Sequence, residues 1–358
     1  MVVPRFDDQT VVFLTDDDPT GSEAYLYIAD SPQDLLDGNG QLYVFVADDA
    51  EDSADVAKGG TLSGRFEPVE EGDNDDAEAL QTAAEDAGAF TFVRLEDATY
   101  DRTNPNTIYF ADTGDNGDQT FATPSREPLS ANGRLYSMTL DPSDPTQVTS
   151  LNVLLDGDAG DDIRNPDNID ANASTILIQE DLNADNREAD SDNTARILAY
   201  DIGSGAVSTL ARVDQSDDPN RLVDEGDEAG SWESSGIIDV SDLFGSGSWL
   251  VDVQAHTMEV RQFDGVDEGG QLLLIRQIAP PPTPVEIVST AAVPVATIEP
   301  TATVAPTEAV QPTATPTAEP TTAPTVPPTP TLAPTIAPTT TLAPAPTLEP
   351  TVPSSPAA

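Results

Sequence analysis

A chain of 358 residues with 65 acids, 14 basic residues and no cysteine excludes disulfides, thiolate metal sites and cysteine nucleophiles. Its net charge of −51 repels nucleic acid and anionic membrane surfaces. From Pro280 the composition turns to Pro, Thr, Ala and Val. The tail 280–358 holds 21 of the 32 prolines and no basic residue, leaving 60 acids against 14 basic residues, a net −46, in residues 1–279.

The N-terminal stretch MVVPRFDDQTVVFLTDDD lacks the basic leader and long apolar core of a signal peptide. It opens on an expected strand over Thr10–Leu14, as if the chain began in mid-domain. Short apolar runs follow: AYLYIA, QLYVFV, FTFVRL, TIYFA, RLYSMTL, SLNVLL, TILIQ, RILAYDI, WLVDV and QLLLIRQI, separated by turn clusters such as DGNG, TNPNT, SANG and FGSGS. One helix is expected over Asp76–Gly88, stopped by its glycine. RILAYDIGSGAVSTLARV reads as a hairpin turning at Gly203–Gly205. The tail cannot bury a core and favours polyproline II, so it reads as a disordered Pro/Thr-rich stalk or linker. No apolar helix follows it, and membrane insertion is not expected. The stalk suits a secreted or cell-surface protein displayed on a cell surface or cell wall.

The strands have a longer rhythm. E96DATYD…TIYFADTGD, P166DNIDANASTILIQED and E233SSGIIDVSDLFGSGSWLVDVQAH share an acidic opening, a turn and an apolar strand ending in polar groups; their starts lie 70 and 67 residues apart. Repetition of a multi-strand unit points to an all-β fold. A β-propeller is favoured, incomplete, with about four blades' worth of strands over residues 1–279; a β-sandwich is the alternative. In a propeller, equivalent strand ends converge on the axis. Glu96, Glu180 and Glu233, with Asp112 and His256, are then expected to meet. Crowded carboxylates cannot all stay ionised unless a cation holds them, so Ca²⁺, a hard ion taking six to eight oxygens, is the expected ligand. Asp181 opens the loop DLNADN, which carries Asp181, Asn183 and Asp185 at the first calcium-loop spacings, with Asp192 at the twelfth; Asn186 stands where such a loop needs glycine.

These motifs, in this order, resemble the PhoX-type alkaline phosphatase family: LEDATYDRTNPNTIYFADTGD, NGRLYSMTLDPSDP, DNIDANASTILIQED, ESSGIIDVSDLFGSGSWLVDVQAH and GGQLLLI, preceded by LYVFVAD…GGTLSGRFEPV. The resemblance covers about residues 1–276. It implies a β-propeller that hydrolyses phosphate monoesters with calcium and ferric iron. It also implies metal-ligand roles for Glu96, Glu180 and Glu233, and a strand-end role for His256. The family's iron site uses a cysteine that has no counterpart here. Ser231–Trp232 stand where an arginine for substrate is expected, and the family's N-terminal blades are missing.

Two functions follow. One is a metal-dependent phosphate monoester hydrolase or its derivative; the other is a catalytically silent, calcium-stabilised module for surface binding. His256, the only histidine, is the one imidazole available for proton transfer, or a satisfied strand-end residue. Arg94 holds phosphate in the first reading; the preferred one pairs it with Glu96. No nucleophile elbow or Ser-His-Asp triad supports a metal-independent esterase.

Overall fold

The computed structural model describes residues 1–4, 6, 9–18, 22–69, 77–114, 130–182, 194–215, 232–260 and 267–276, with the side chains of 77, 256–260 and 267–268 not described. Two units divide the chain, Met1–Val285 and Glu286–Ala358, and every described residue belongs to the first. The stalk expected over 280–358 lies outside the described residues.

The described chain is mostly β, built of antiparallel meanders. Strands β1 (Thr10–Thr15), β2 (Ala24–Ala29), β3 (Gln41–Ala47) and β4 (Thr61–Val69) form the first meander; β5 (Leu95–Tyr100), β6 (Thr107–Asp112), β7 (Arg134–Asp141) and β8 (Asp144–Asp156) form the second. They are not separate sheets. β4 pairs with β8, Thr61 opposite Asn152, giving one eight-stranded sheet in the order β1-β2-β3-β4-β8-β7-β6-β5. Its two ends, β1 and β5, come back into contact, so the sheet is nearly closed and barrel-like. Its interior is filled by residues that alternate along the strands, among them Phe13, Phe45, Phe110 and Tyr136, all at most 1 % exposed. Phe90 and Phe92 join them, edge-on to each other with ring centroids 4.8 Å apart. Each such side chain contributes roughly 1.5–3 kcal/mol by leaving water.

A third meander follows: β9 (Pro166–Ala171), β10 (Thr175–Glu180), β11 (Arg196–Asp201) and β12 (Val207–Arg212). The fourth has β13 (Glu233–Asp239), β14 (Ser248–Val260) and β15 (Asp267–Arg276). The expected hairpin is β11–β12, turning through Asp201–Ala206, where Gly205 has φ +72°. Successive meanders stack face to face. Ile169, Ile176 and Ile178 pack on Leu135 and Leu155 of the second, and Leu177 and Ile197 pack on Ile237, Trp249 and Val251 of the fourth. One strand therefore serves two cores: in TILIQE the even-numbered isoleucines face one neighbour and Leu177 the other.

The expected helix is α2 (Ala77–Ala87), following a short α1 (Pro32–Leu36); α3 (Ser241–Phe244) precedes β14. Alanine-rich AEALQTAAEDA favours the helix, and Gly88, at φ +80°, ends it with its N–H on Glu85 O and Ala89 N–H on Ala84 O. Ala84, fully buried, sits on Tyr25, Leu42 and Val44 and covers the outer face of the first meander.

The first strands of the last three meanders, β5, β9 and β13, run side by side in the same direction, joined by side chains rather than by a ladder. Asp97 accepts from Ile169 N–H (3.2 Å), and Asp170 accepts from Thr99 (2.7 Å), Arg102 (2.9 Å) and Asp239 N–H (2.7 Å). Asn168 Oδ1 accepts from Gly236 N–H at 2.8 Å. β1 runs opposite to β5, because every pairing across the eight-stranded sheet is antiparallel.

Candidate functional site: a carboxylate centre at one end of the inner strands

Because the meanders repeat, the start of each first strand sits beside the end of the second. The cross-strand partners are Leu95 and Asp112, Pro166 and Glu180, and Glu233 and Gln254. All the acids expected from the sequence thus lie at one end of the inner strands. They are not all in one cluster.

Glu96 and Asp167 stand at the second positions of β5 and β9, Glu233 at the first of β13. These three, with Asp181 just past β10, form the centre. Glu96 and Asp167 share a hydrogen bond. Burial pushes the Glu96 carboxyl far up, and the charges of Asp167 and Asp17 add to it, against Arg94 and the Thr113 hydroxyl. Burial likewise raises Asp167, reinforced by Glu233 and Asp181. Two carboxyls that face each other while raised this way share a proton near neutral pH. Asp97, next along β5, is raised by burial as well, despite two backbone N–H donors.

Arg94 is the nearest cation. It sits at φ +57°, a left-handed conformation few non-glycine residues adopt, pinned by Thr113 N–H on its carbonyl (2.9 Å) and Gly114 N–H on Val93 O (3.2 Å). Its guanidinium donates to Glu96 at 3.1 Å and to Asp17 at 3.0 and 3.3 Å. The Nε–Nη2 edge of the guanidinium is therefore engaged by carboxylates. The acidic ground extends into Asp16, where burial and the charges of Asp18 and Asp17 raise the carboxyl to about 6, and Glu23, raised by burial to about 7 although Gln81 donates to it.

Glu180 is elsewhere. Expected as a metal ligand, it is fully buried and enclosed by arginine. Arg196 donates from Nε (2.9 Å) and Nη2 (2.5 Å), Arg164 from Nη2 (3.1 Å), and the backbone N–H groups of both residues add bonds of 3.1 Å each. Five donors on two oxygens leave the carboxylate saturated. The apolar strand β10 runs into negative charge because Arg196, directly across the ladder at the start of β11, and Arg164, before β9, are there to receive it. The second meander sets the same residue types opposite each other, Asp112 at the end of β6 and Arg134 at the start of β7, but the Arg134 guanidinium goes to Asp156 at 2.9 Å instead. Asp112 is fully buried, accepts from Tyr136 Oη at 2.8 Å and has no protein partner for Oδ1; burial raises it to about 7. It stays with Tyr136 and does not join the centre.

His256 lies within β14, but its side chain is outside the described residues, as are residues 183–193 of the expected calcium loop and residues 115–118 of DTGDNGD. Asp181 is described, with its N–H on Asn165 O at 3.0 Å, and its charge acts on Asp167 and Arg94. Asp167 was absent from the expected ligands. Its signal lay in the repeat, since aligning the three units on their acidic openings sets PD166–167 against E96 and E233; aligning on the ends of the apolar strands selects Glu180 instead.

The oxygen donors of the centre suit calcium chemically. Their positions do not make a metal site: among the described residues no three acidic or histidine side chains are gathered about a point that a metal ion could occupy. No family model, curated protein or solved structure matches the chain.

Proposed function

We propose that this chain is a β-propeller module derived from PhoX-type phosphate monoester hydrolases, serving as a binding or structural unit on a cell surface rather than turning over substrate. Its inner carboxylates form a centre that responds to protons and divalent cations. The propeller reading is supported by the last three meanders, whose first strands run side by side in one direction; the fused first eight strands depart from that pattern. The stalk would carry the module away from the surface.

The observation that carries the non-catalytic reading is the state of the two groups a phosphatase needs most. Arg94 is held between Glu96 and Asp17, and Glu180 is saturated by Arg196 and Arg164. Glu180 has nothing left for a metal, and Arg94 is committed to carboxylates along its Nε–Nη2 edge. Cation response rests on the donor chemistry and uncompensated charge of Glu96, Asp167, Asp181 and Glu233: they are not gathered about one point, so an oxygen-seeking cation would draw them together in place of the shared proton. The ordered motif set favours the second reading, an active phosphatase using calcium, with ferric iron wanting its cysteine.

The test is p-nitrophenyl phosphate turnover with calcium or with chelator, run beside calorimetric melting under the same conditions. The proposal expects no turnover and a melting temperature that calcium raises more at pH 8 than at pH 5, because protons vacate the centre at the higher pH. Chelator-sensitive turnover lost in Glu233→Gln would establish the phosphatase instead. No turnover and no calcium response would refute both.

A further inference from the structure

We propose a second, separate binding site between the third and fourth meanders, for a neutral, mainly apolar molecule carrying one hydroxyl or amide group. A cavity of about 330 Å³ lies there, walled by Ile197, Val213, Trp232, Val251 and Ala255. Those five side chains are at most 7 % exposed. The walls belong to β11, the end of β12 and the turn after it, the start of β13, β14 and β15, whose Leu273, 41 % exposed, lies on the open side.

Two side chains point to a ligand rather than to an oily gap. Ser234 lines the cavity, is 1 % exposed, and its hydroxyl has no protein hydrogen-bond partner. Gln179 is fully buried, and neither its carbonyl oxygen nor its amide nitrogen has a protein partner. Gln179 lies directly across the ladder from the wall residue Ile197 and, two residues from Leu177, shares the face of β10 that packs on the fourth meander. Gln179 is not itself a wall residue but neighbours one, so the Ser234 hydroxyl is the polar group that the cavity presents, with the Gln179 amide beside the Ile197 wall. Buried polar groups left without partners are costly and rare, so sites that keep them do so for something that binds.

The ligand class follows from the surroundings. A 150 Å³ apolar cavity takes benzene, so twice that volume takes a bicyclic molecule, and it falls at the low end of small-molecule pockets. Trp232 offers an aromatic wall. Apolar walls exclude a charged body, and the body's large negative charge further disfavours an anion. Arg212 and Asp214, both exposed, stand at the rim. The site is distinct from the carboxylate centre, because Ser234 and Glu233 are successive residues of a strand and face opposite sides.

The experiment compares 1-naphthol with 1-methylnaphthalene by isothermal titration calorimetry on the full chain. Wild type is expected to bind naphthol about tenfold more tightly, the effect of one hydrogen bond to a buried, otherwise unpartnered group. Gln179→Leu combined with Ser234→Ala should bring the two affinities together while keeping the bicyclic core bound. Ala255→Phe, which fills the cavity, should abolish both, with Val253→Phe as the alternative if the first variant melts early. Failure of both compounds to bind wild type, or a naphthol preference that survives the double variant, overturns the proposal.

Discussion

Glu180 and Glu96 stand at the same end of neighbouring meanders, the first buried and the second half-buried, and they are treated in opposite ways. Glu180 has two guanidinium groups and two backbone N–H donors around it. Glu96 has part of one arginine, one threonine hydroxyl and a second carboxyl as its neighbour. The first site is closed and neutralised by the fold itself. The second is left short of positive charge, so its protonation, and any cation it meets, decides its state. Buried acid alone is therefore no sign of a functional centre; the supply of cations around it is.

The sharpest way to break this contrast is to remove the clamp. Arg196→Leu leaves the Glu180 charge buried with three of its five donors and only one of its two arginines, and should lower stability by about 3–5 kcal/mol in chemical denaturation. Glu180→Leu combined with Arg196→Met should recover much of that, since an apolar pair of similar volume often replaces a buried ion pair at little cost.

The next effect is on pH. The carboxyls of Glu96 and Asp167 are held far up, Asp112 and Glu23 stand at about 7 and Asp16 at about 6, whereas unfolded carboxyls titrate near ~4. Between those values the folded chain binds more protons than the unfolded one. Stability must then fall as pH rises from about 4 to about 8. Melting curves across that window should show the decline, and Glu96→Gln or Asp167→Asn should flatten it. A stability that instead rises with pH would contradict the protonated centre.

Smaller still, Glu96→Gln should raise stability at pH 8 by about 1 kcal/mol, because it removes one of two facing charges while keeping an acceptor for Arg94. The corresponding Glu180→Gln should destabilise, so the pair of variants separates the two sites by sign. Asp17→Asn, which affects a carboxylate 44 % exposed, should change stability by less than ~1 kcal/mol.

Much of this arrangement is legible in the sequence. The helix over 77–87 announces itself by composition and its glycine stop, the β11–β12 hairpin by alternation around its turn, and the three acidic openings by their spacing. What is not legible depends on distant partners. Glu180 looks like Glu96 along the chain; only Arg164 and Arg196, each sixteen residues away, make it different, and nothing local signals that they converge. The joining of β4 to β8 is of the same kind, since Thr61 meets Asn152 through edges that carry no mark of their partner. The expectation of repeated, equivalent units misses this fusion for that reason.

The two outer faces of the stack leave a last consequence. α2 covers the first meander, whereas β15 carries Leu272, Leu273 and Leu274 at 71 %, 41 % and 38 % exposure, and among the described residues no strand lies beyond it. A bare strand edge with exposed leucines invites copies of the chain to zip together and come out of solution. The dense negative charge that costs the compact fold self-repulsion is what keeps those edges apart, so this protein's colloidal behaviour rests on its acids: concentrated salt, which screens them, and mild acid, which discharges them, both remove the barrier to clumping.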